Sequence, residues 1–202
     1  CLAPTEEMER VTSRAKPGWM PRGELPTRLT GGMCVPYGLT EWSRLFSPRQ
    51  LLALGTFSEL VEDVRVRVRE DAIKAGMSSE GERLEDGGAG SEAYADAVAT
   101  FLGLAVGRSA NYWSTLTPWG GEFIVQTFGR QALPMVWDYA EANPFSSSTG
   151  NWTGALTWIQ KVIVTSLSGL RPGRACQLAA QSQTLSAFKI VSTDPPYYDN
   201  IA

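Results

Sequence analysis

The residues with the clearest capacity for chemistry are Asp194, Pro195, Pro196 and Tyr197, near the end of the chain. The two prolines fix the backbone and cannot donate hydrogen bonds, so we expect the Pro195 carbonyl to be a rigid acceptor. The Asp194 carboxylate is a second acceptor, and Tyr197 adds a flat aromatic face. Together they could hold an aromatic amine, because both acceptors would stabilise positive charge developing on its nitrogen. The alternative is a structural turn capped by Asp194.

A β-strand is predicted directly before these residues, because the run 187–193 is largely apolar and ends at Asp194. Ligands of open α/β sheets bind beyond the carboxyl ends of the strands. Two further short strands are predicted at 33–40 and 175–180. The pattern therefore places the amine-holding residues at the edge of a sheet.

Helical spacing of apolar residues dominates the middle of the chain. Ser47 and Pro48 supply an N-cap and a first-turn proline, and Gly76 predicts where that helix ends. The turn-forming sequence within 114–126 predicts a loop, and Pro134 should kink a later helix or delay its start. The predicted helices cover residues 47–75, 91–110, 127–142 and 152–167.

The predicted fold is mixed α/β and mostly helical. Residues 1–46 are rich in Pro, Gly and charge and predict an extended, irregular linker. Residues 47–170 predict a helical segment, and 171–202 predict part of a sheet that ends at Asp194. The four helices are expected to pack as one unit, separate from the final strand.

Composition excludes several classes of site. The 202 residues include no histidine, which excludes Ser-His-Asp and Cys-His nucleophile systems. Cys1, Cys34 and Cys176 are too far apart for a zinc ribbon or redox pair, so no metal site is predicted and a reducing cytoplasm is favoured. No apolar stretch approaches the roughly 20 residues of a membrane helix. The initial Cys1 suggests a piece of a longer chain rather than a lipidated protein.

The segment 191–201 looks like motif IV of the DNA methyltransferases that modify adenine N6 or cytosine N4. The wider chain resembles one branch of these, the large bacterial adenine-specific DNA methylases containing a zinc ribbon, a domain-of-unknown-function family often found beside anti-phage genes. The resemblance covers most of residues 17–201 and is most specific at 130–145 and at Asp194. Its other quoted segments are 38–42, 45–54, 94–100, 127–128 and 150–152.

The resemblance implies a Rossmann-like methyltransferase sheet, S-adenosylmethionine as methyl donor and double-stranded DNA with a flipped target base as partner. Asp194 and Pro195 would hold the amine, and Tyr197 would stack on the base. The family's Gly-rich cofactor turn and its zinc-ribbon cysteines do not occur in this sequence. We therefore expect an incomplete cofactor site and half of an active site. Partners from a restriction or anti-phage system are also implied.

Two alternatives remain: the same chemistry on cytosine N4, and a helical segment that binds DNA or a partner without activity of its own. The net charge of −3, from 18 basic and 21 acidic residues, requires any DNA contact to use a local patch. Arg130 and Gln131, expected to open the third helix, are candidates for a phosphate or base contact, with a solvated surface as the alternative. Core packing, with stacking surfaces as the alternative, is expected for Trp113, Trp119, Trp137, Trp152 and Trp158. A solvated helix face is expected for Arg65, Arg67 and Arg69.

Overall fold

The computed structural model of the protein describes residues 3–130, 132–166, 178–179 and 181–193. Within these ranges the regular structure is mostly helical, as predicted, and three isolated β-bridges replace any extended sheet. None of the described helices is long and apolar enough to cross a membrane. The α-helices are α1 (Glu6–Ser13), α2 (Pro48–Lys74), α3 (Ser91–Ala110) and α4 (Trp152–Ser166), with short 3-10 helices at Val35–Tyr37, Trp42–Leu45 and Leu84–Asp86.

Helix α2 begins where the sequence predicts. Ser47 Oγ accepts a hydrogen bond from the Gln50 amide, and Gln50 Oε1 accepts one from the Ser47 amide, so each residue satisfies a backbone donor of the other. Pro48 occupies the first helical turn, where its missing N–H costs nothing. At the other end, Gly76 has a φ of 96° and lies just beyond the last helical residue. The predicted helix 47–75 is therefore confirmed.

Helices α2 and α3 form an antiparallel hairpin. Arg65 in α2 contacts Glu92 and Asp96 near the start of α3, whereas Leu54 lies in one core cluster with Trp113, just after α3 ends. Helix α4 packs on α3, where Arg108 lies over the ring of Trp158. The predicted helices 91–110 and 152–167 thus correspond to α3 and α4.

The predicted helix 127–142 is wrong. The described residues of this segment form an irregular loop whose amides bond to distant carbonyls: Thr127 to Asn111 (2.9 Å), Leu133 to Leu29 (2.8 Å) and Ala140 to Thr117 (2.8 Å). Pro134 disfavours helical backbone at the residue before it and lacks an amide of its own. These bonds join amides of the segment to carbonyls far away in sequence, whereas a helix would have bonded them to its own preceding turn.

The region 1–46 differs from the extended linker that its composition predicts. It contains α1 and two 3-10 helices, and the predicted strand 33–40 is wrong, because Val35–Tyr37 is a 3-10 turn that ends at Gly38 with a φ of 86°. Leu25, Cys34 and Leu45 are buried with Leu116 and Leu133, and we call these five residues the N-terminal core. The region is therefore integrated into the folded body.

The predicted strand 187–193 is also wrong. Residues 181–193 form turns followed by irregular chain without a strand partner in the described ranges. Phe188 has a φ of 59°, and Phe188 and Ile190 are fully exposed. Of the predicted strand 175–180 only residues 178 and 179 are described, and neither is in a strand. The apolar pattern that predicted a buried strand is here presented to solvent.

A buried carboxylate ties the two long helices together. Asp96 Oδ1 accepts a hydrogen bond from Arg65 Nε at 2.7 Å, and Asp96 Oδ2 accepts from Arg83 Nε and the Leu84 amide, both at 3.2 Å. Glu92 extends the network by pairing with Arg65 and Arg69. The hydrogen bond from Arg83, followed by those from Arg65 and Leu84, lowers the pKa of Asp96 to about 2 despite the opposing effect of burial. Arg65, expected on a solvated face, is thus a structural residue.

We predict that Asp96→Asn lowers the stability of the protein and removes part of the pH dependence of that stability. The folded-state pKa lies below that of an unfolded Asp, so the stabilisation is complete above about pH 5 and is lost as the pH falls towards 2. At about 1.4 kcal/mol per pKa unit, the carboxylate contributes about 2 kcal/mol at neutral pH. Urea unfolding followed by circular dichroism at several pH values between about 3 and about 7 measures both effects.

Asp71→Asn is the matched control, because Asp71 is exposed on α2 and pairs only with the neighbouring Lys74 among the described residues. Its loss should change stability by less than about 0.5 kcal/mol. Equal effects of the two substitutions, or a pH profile of Asp96→Asn that parallels the unmodified protein, would contradict the assigned role.

Candidate functional site

The predicted amine-holding residues, Asp194, Pro195, Pro196 and Tyr197, lie outside the described residues, as does Gln131. Among the predicted site residues the structure therefore describes only Arg130. Arg130 is exposed and belongs to an irregular loop rather than to the start of a helix. The expected position at the start of a helix is therefore wrong, and the loop determines where Arg130 lies.

Arg130 lines an open cavity of about 580 Å³, which we call the Arg130 cavity. Tyr112 and Phe123 contribute aromatic rings to its wall, and Phe123 is half exposed. No Asp, Glu or Cys is found among its described lining residues. The remaining wall is formed by Leu116, Pro118, Ile124, Val125, Gln126, Thr127, Gly129, Ala132, Pro134 and Thr149.

Hydrogen bonds around Asn111 and Ser114 fix the shape of this cavity. The Phe128 amide donates to Asn111 Oδ1 at 2.7 Å, so the loop that leads to Arg130 is fastened to the end of α3. Behind the wall, the hydroxyls of Ser114 and Thr127 share a buried hydrogen bond of 2.6 Å. Buried polar pairs of this kind are satisfied only in one arrangement, so they specify the loop conformation.

The ring of Tyr112 is also held in place. Gln126 Nε2 donates to Tyr112 Oη at 2.8 Å. This bond links two residues of the cavity wall and orients an aromatic surface that would otherwise rotate freely. The arrangement offers flat faces and one cation, which suits a planar ring or a nucleobase better than proton-transfer chemistry.

Trp113 joins the cavity region to the helical hairpin. It is only 1% exposed and lies in a cluster with Leu54, Ile124 and Ala142, which we call the Trp113 core. Its Nε1 donates to the carbonyl of Gly150 at 2.7 Å, so the loop before α4 is held against the same indole. The side chain thus serves two neighbouring loops at once.

The five tryptophans that were expected in the core divide between core and surface. Trp113 is buried, and Trp152 packs on Phe57 with ring centroids 4.6 Å apart. Trp119, Trp137 and Trp158 are each more than half exposed. The expectation is therefore wrong for these three, which leave flat apolar surfaces available for contact.

No protein-family model, curated protein or solved structure matches this chain. The resemblance to DNA methylases accordingly stays a prediction. Sequence reasoning missed Tyr112, Phe123 and Gln126 as cavity residues. The only signal was their position in and beside the loop predicted at 114–126, which the structure confirms as irregular.

Gly150→Ala tests how tightly the loop before α4 is fitted. Gly150 has a φ of 87°, and a Cβ there would lie 3.0 Å from Ala142 Cβ and 3.1 Å from Tyr112 Cβ. Backbone strain of about 1–2 kcal/mol should add to overpacking of about 1–3 kcal/mol. We expect the free energy of unfolding to fall by the sum of the two effects, as measured by urea denaturation followed by tryptophan fluorescence.

Gly38→Ala separates the two effects, because Gly38 has nearly the same φ of 86° but no atom within 4 Å of the added Cβ. It should cost only the backbone strain. If Gly150→Ala were no more destabilising than Gly38→Ala, Tyr112 and Ala142 would not be closely packed on this loop.

Proposed function

We propose that the chain is part of a DNA methyltransferase that transfers a methyl group from S-adenosylmethionine to the exocyclic N6 amine of adenine. The observation that carries the proposal is the sequence Asp194-Pro195-Pro196-Tyr197, supported by the longer resembling run at 130–145. The proposed enzyme acts on double-stranded DNA in the cytoplasm, within a restriction or anti-phage system.

The chemistry follows from the residue types. Asp194 and the Pro195 carbonyl each accept one N–H of the amine, which weakens conjugation of the nitrogen lone pair with the ring. The cofactor supplies an electrophilic methyl group on a sulfonium. During methyl transfer the two acceptors would stabilise the positive charge that develops on the nitrogen, and the amine proton would then pass to solvent. Tyr197 stacks on the base after it is swung out of the duplex.

In this proposal the cofactor-binding turn and the Rossmann-like sheet belong to parts of the enzyme outside the described residues. The helical body formed by α2, α3 and α4 lies before the motif in sequence. The Arg130 cavity, which is formed by loops packed on this body, supports a DNA-contacting role for them, because its described wall combines aromatic rings and a cation without a carboxylate.

A second candidate function is DNA binding by this body without catalysis, and the same Arg130 cavity favours it. Methylation of cytosine N4 is a variant of the leading proposal, since Asp194 and Pro195 would hold either amine. Digestion of the methylated DNA to nucleosides distinguishes N6-methyladenine from N4-methylcytosine. Absence of any methyl transfer by the full-length protein would leave only the binding role.

Asp194→Ala in the full-length protein should reduce methyl transfer to DNA by about 10²–10³-fold, because one acceptor for the developing charge is lost. Cofactor affinity should be unchanged, since the carboxylate is proposed to contact only the amine. Single-turnover transfer of labelled methyl groups, together with calorimetry of cofactor binding, measures both quantities. Asp71→Ala serves as the control, and a near-normal rate for Asp194→Ala would make the turn structural.

Tyr197 provides an independent test, because its proposed role uses the ring face and not the hydroxyl. Tyr197→Ala should weaken capture of the base by about 1–3 kcal/mol of lost stacking. Tyr197→Phe should retain most of the activity. The same transfer assay at varied DNA concentrations resolves the difference, and equal losses for the two variants would exclude a stacking role.

A further inference from the structure

A second cavity, of about 280 Å³, lies beside the Arg130 cavity. It is formed by the end of α3, the start of α4 and the loop between residues 146 and 151. We call it the Arg108 cavity, after the cation in its wall. Its other described lining residues are Ser109, Tyr112, Ser147, Ser148, Thr149, Gly150, Asn151, Gly154, Ala155 and Trp158.

The Arg108 guanidinium is oriented by aromatic rings. It lies 4.9 Å from the ring centroid of Trp158 and 5.8 Å from that of Tyr112. Within the described ranges no carboxylate oxygen comes within 4.0 Å of it. Stacking on a ring uses the face of a guanidinium and leaves the N–H groups at its edge free to bind an anion.

Three consecutive hydroxyls complete the polar wall. The side chains of Ser147, Ser148 and Thr149 line the cavity, and none of their hydroxyl groups bonds to another described residue. The backbone that carries them is nevertheless fixed, because Trp113 Nε1 binds the Gly150 carbonyl and Asn151 Oδ1 accepts from the Gly154 amide at 2.7 Å. Free hydroxyl donors on a fixed loop beside an arginine are suited to phosphate oxygens.

The two cavities share part of their walls. Tyr112 and Thr149 line both, so the two cavities are adjacent. Neither cavity has a described carboxylate in its wall. One side therefore offers a cation and hydroxyls, and the other offers the rings of Tyr112 and Phe123 with Arg130.

We propose that the two cavities together bind one nucleotide unit of a DNA strand. A phosphodiester lies against Arg108 and the hydroxyls of Ser147–Thr149, and the adjoining base stacks in the Arg130 cavity on Phe123 or Tyr112. This deepens the proposed function, on which the choice of DNA rests, by assigning a contact site apart from the target amine. Lys161, whose Nζ lies 5.0 Å from the Trp158 ring, adds positive charge nearby.

Equilibrium binding of the full-length protein to a fluorescein-labelled DNA duplex, without cofactor and across a salt series, tests the proposal. Arg108→Met removes the charge but keeps an apolar chain against Trp158. It should weaken binding about ten-fold and reduce the slope of log affinity against log salt by about 1, whereas Arg108→Lys should keep the slope. Phe123→Ala should weaken binding without changing the slope, because it removes stacking and no charge.

Arg67→Met is the matched control, because Arg67 is exposed on α2 and lines neither cavity. Its affinity should stay within about two-fold, as for a surface substitution. Unchanged affinity and salt slope in Arg108→Met, with thermal stability preserved, would overturn the proposal. So would equal losses in Arg108→Met and Arg67→Met. Full competition by inorganic phosphate at matched ionic strength would overturn the nucleotide assignment and leave a simple anion site.

Methyl transfer measured on the same preparations separates this proposal from the function on which it rests. Binding that depends on Arg108 in a protein that never methylates DNA would support the nucleotide site and refute the methyltransferase. Methyl transfer with DNA affinity indifferent to Arg108 would do the reverse.

Discussion

The indole of Trp113 joins the helices to the irregular loops, and the positions of both depend on its contacts. Its ring packs against Phe57 of α2 at 5.4 Å between centroids, and its Nε1 bonds to Gly150. An aromatic side chain of this size contributes apolar burial and one directional bond together. Because Gly150 also approaches Tyr112, the position of the indole determines how the walls of both cavities meet.

The loops are fixed by hydrogen bonds from side chains rather than by ladders of backbone hydrogen bonds. Thr117 Oγ1 bonds to the carbonyls of Ser114 and Ala140, and Asn111 fastens Phe128. Each of these bonds joins segments far apart in sequence or closes a turn, so the loops can carry exposed aromatic rings without a sheet behind them. As a consequence, replacing any one of these polar side chains with an apolar one leaves its hydrogen-bond partner unsatisfied.

Sequence patterns predicted the elements whose signals are local. The Ser47 N-cap, Pro48 and Gly76 predict α2 without reference to the rest of the fold. The segment 127–142 was misassigned because its apolar residues meet the core in an irregular path, with Leu133 buried in the N-terminal core. Apolar periodicity records which side chains are buried and does not record whether a helix buries them. Arg130 was singled out from sequence, whereas Tyr112 and Phe123 join it only through folding, and the motif at Asp194 lies outside the described residues.

Cys34 gives the N-terminal region a built-in probe of its own attachment. Its thiol is fully buried, donates to the Leu133 carbonyl at 3.4 Å, and has a pKa raised by burial. A thiolate-seeking reagent can therefore reach Cys34 only while the segment around Val35–Tyr37 is lifted from the loop at Leu133. The rate of alkylation at this cysteine, measured by peptide mass, would report how often this contact opens, in the same way that amide exchange reports the opening of a helix.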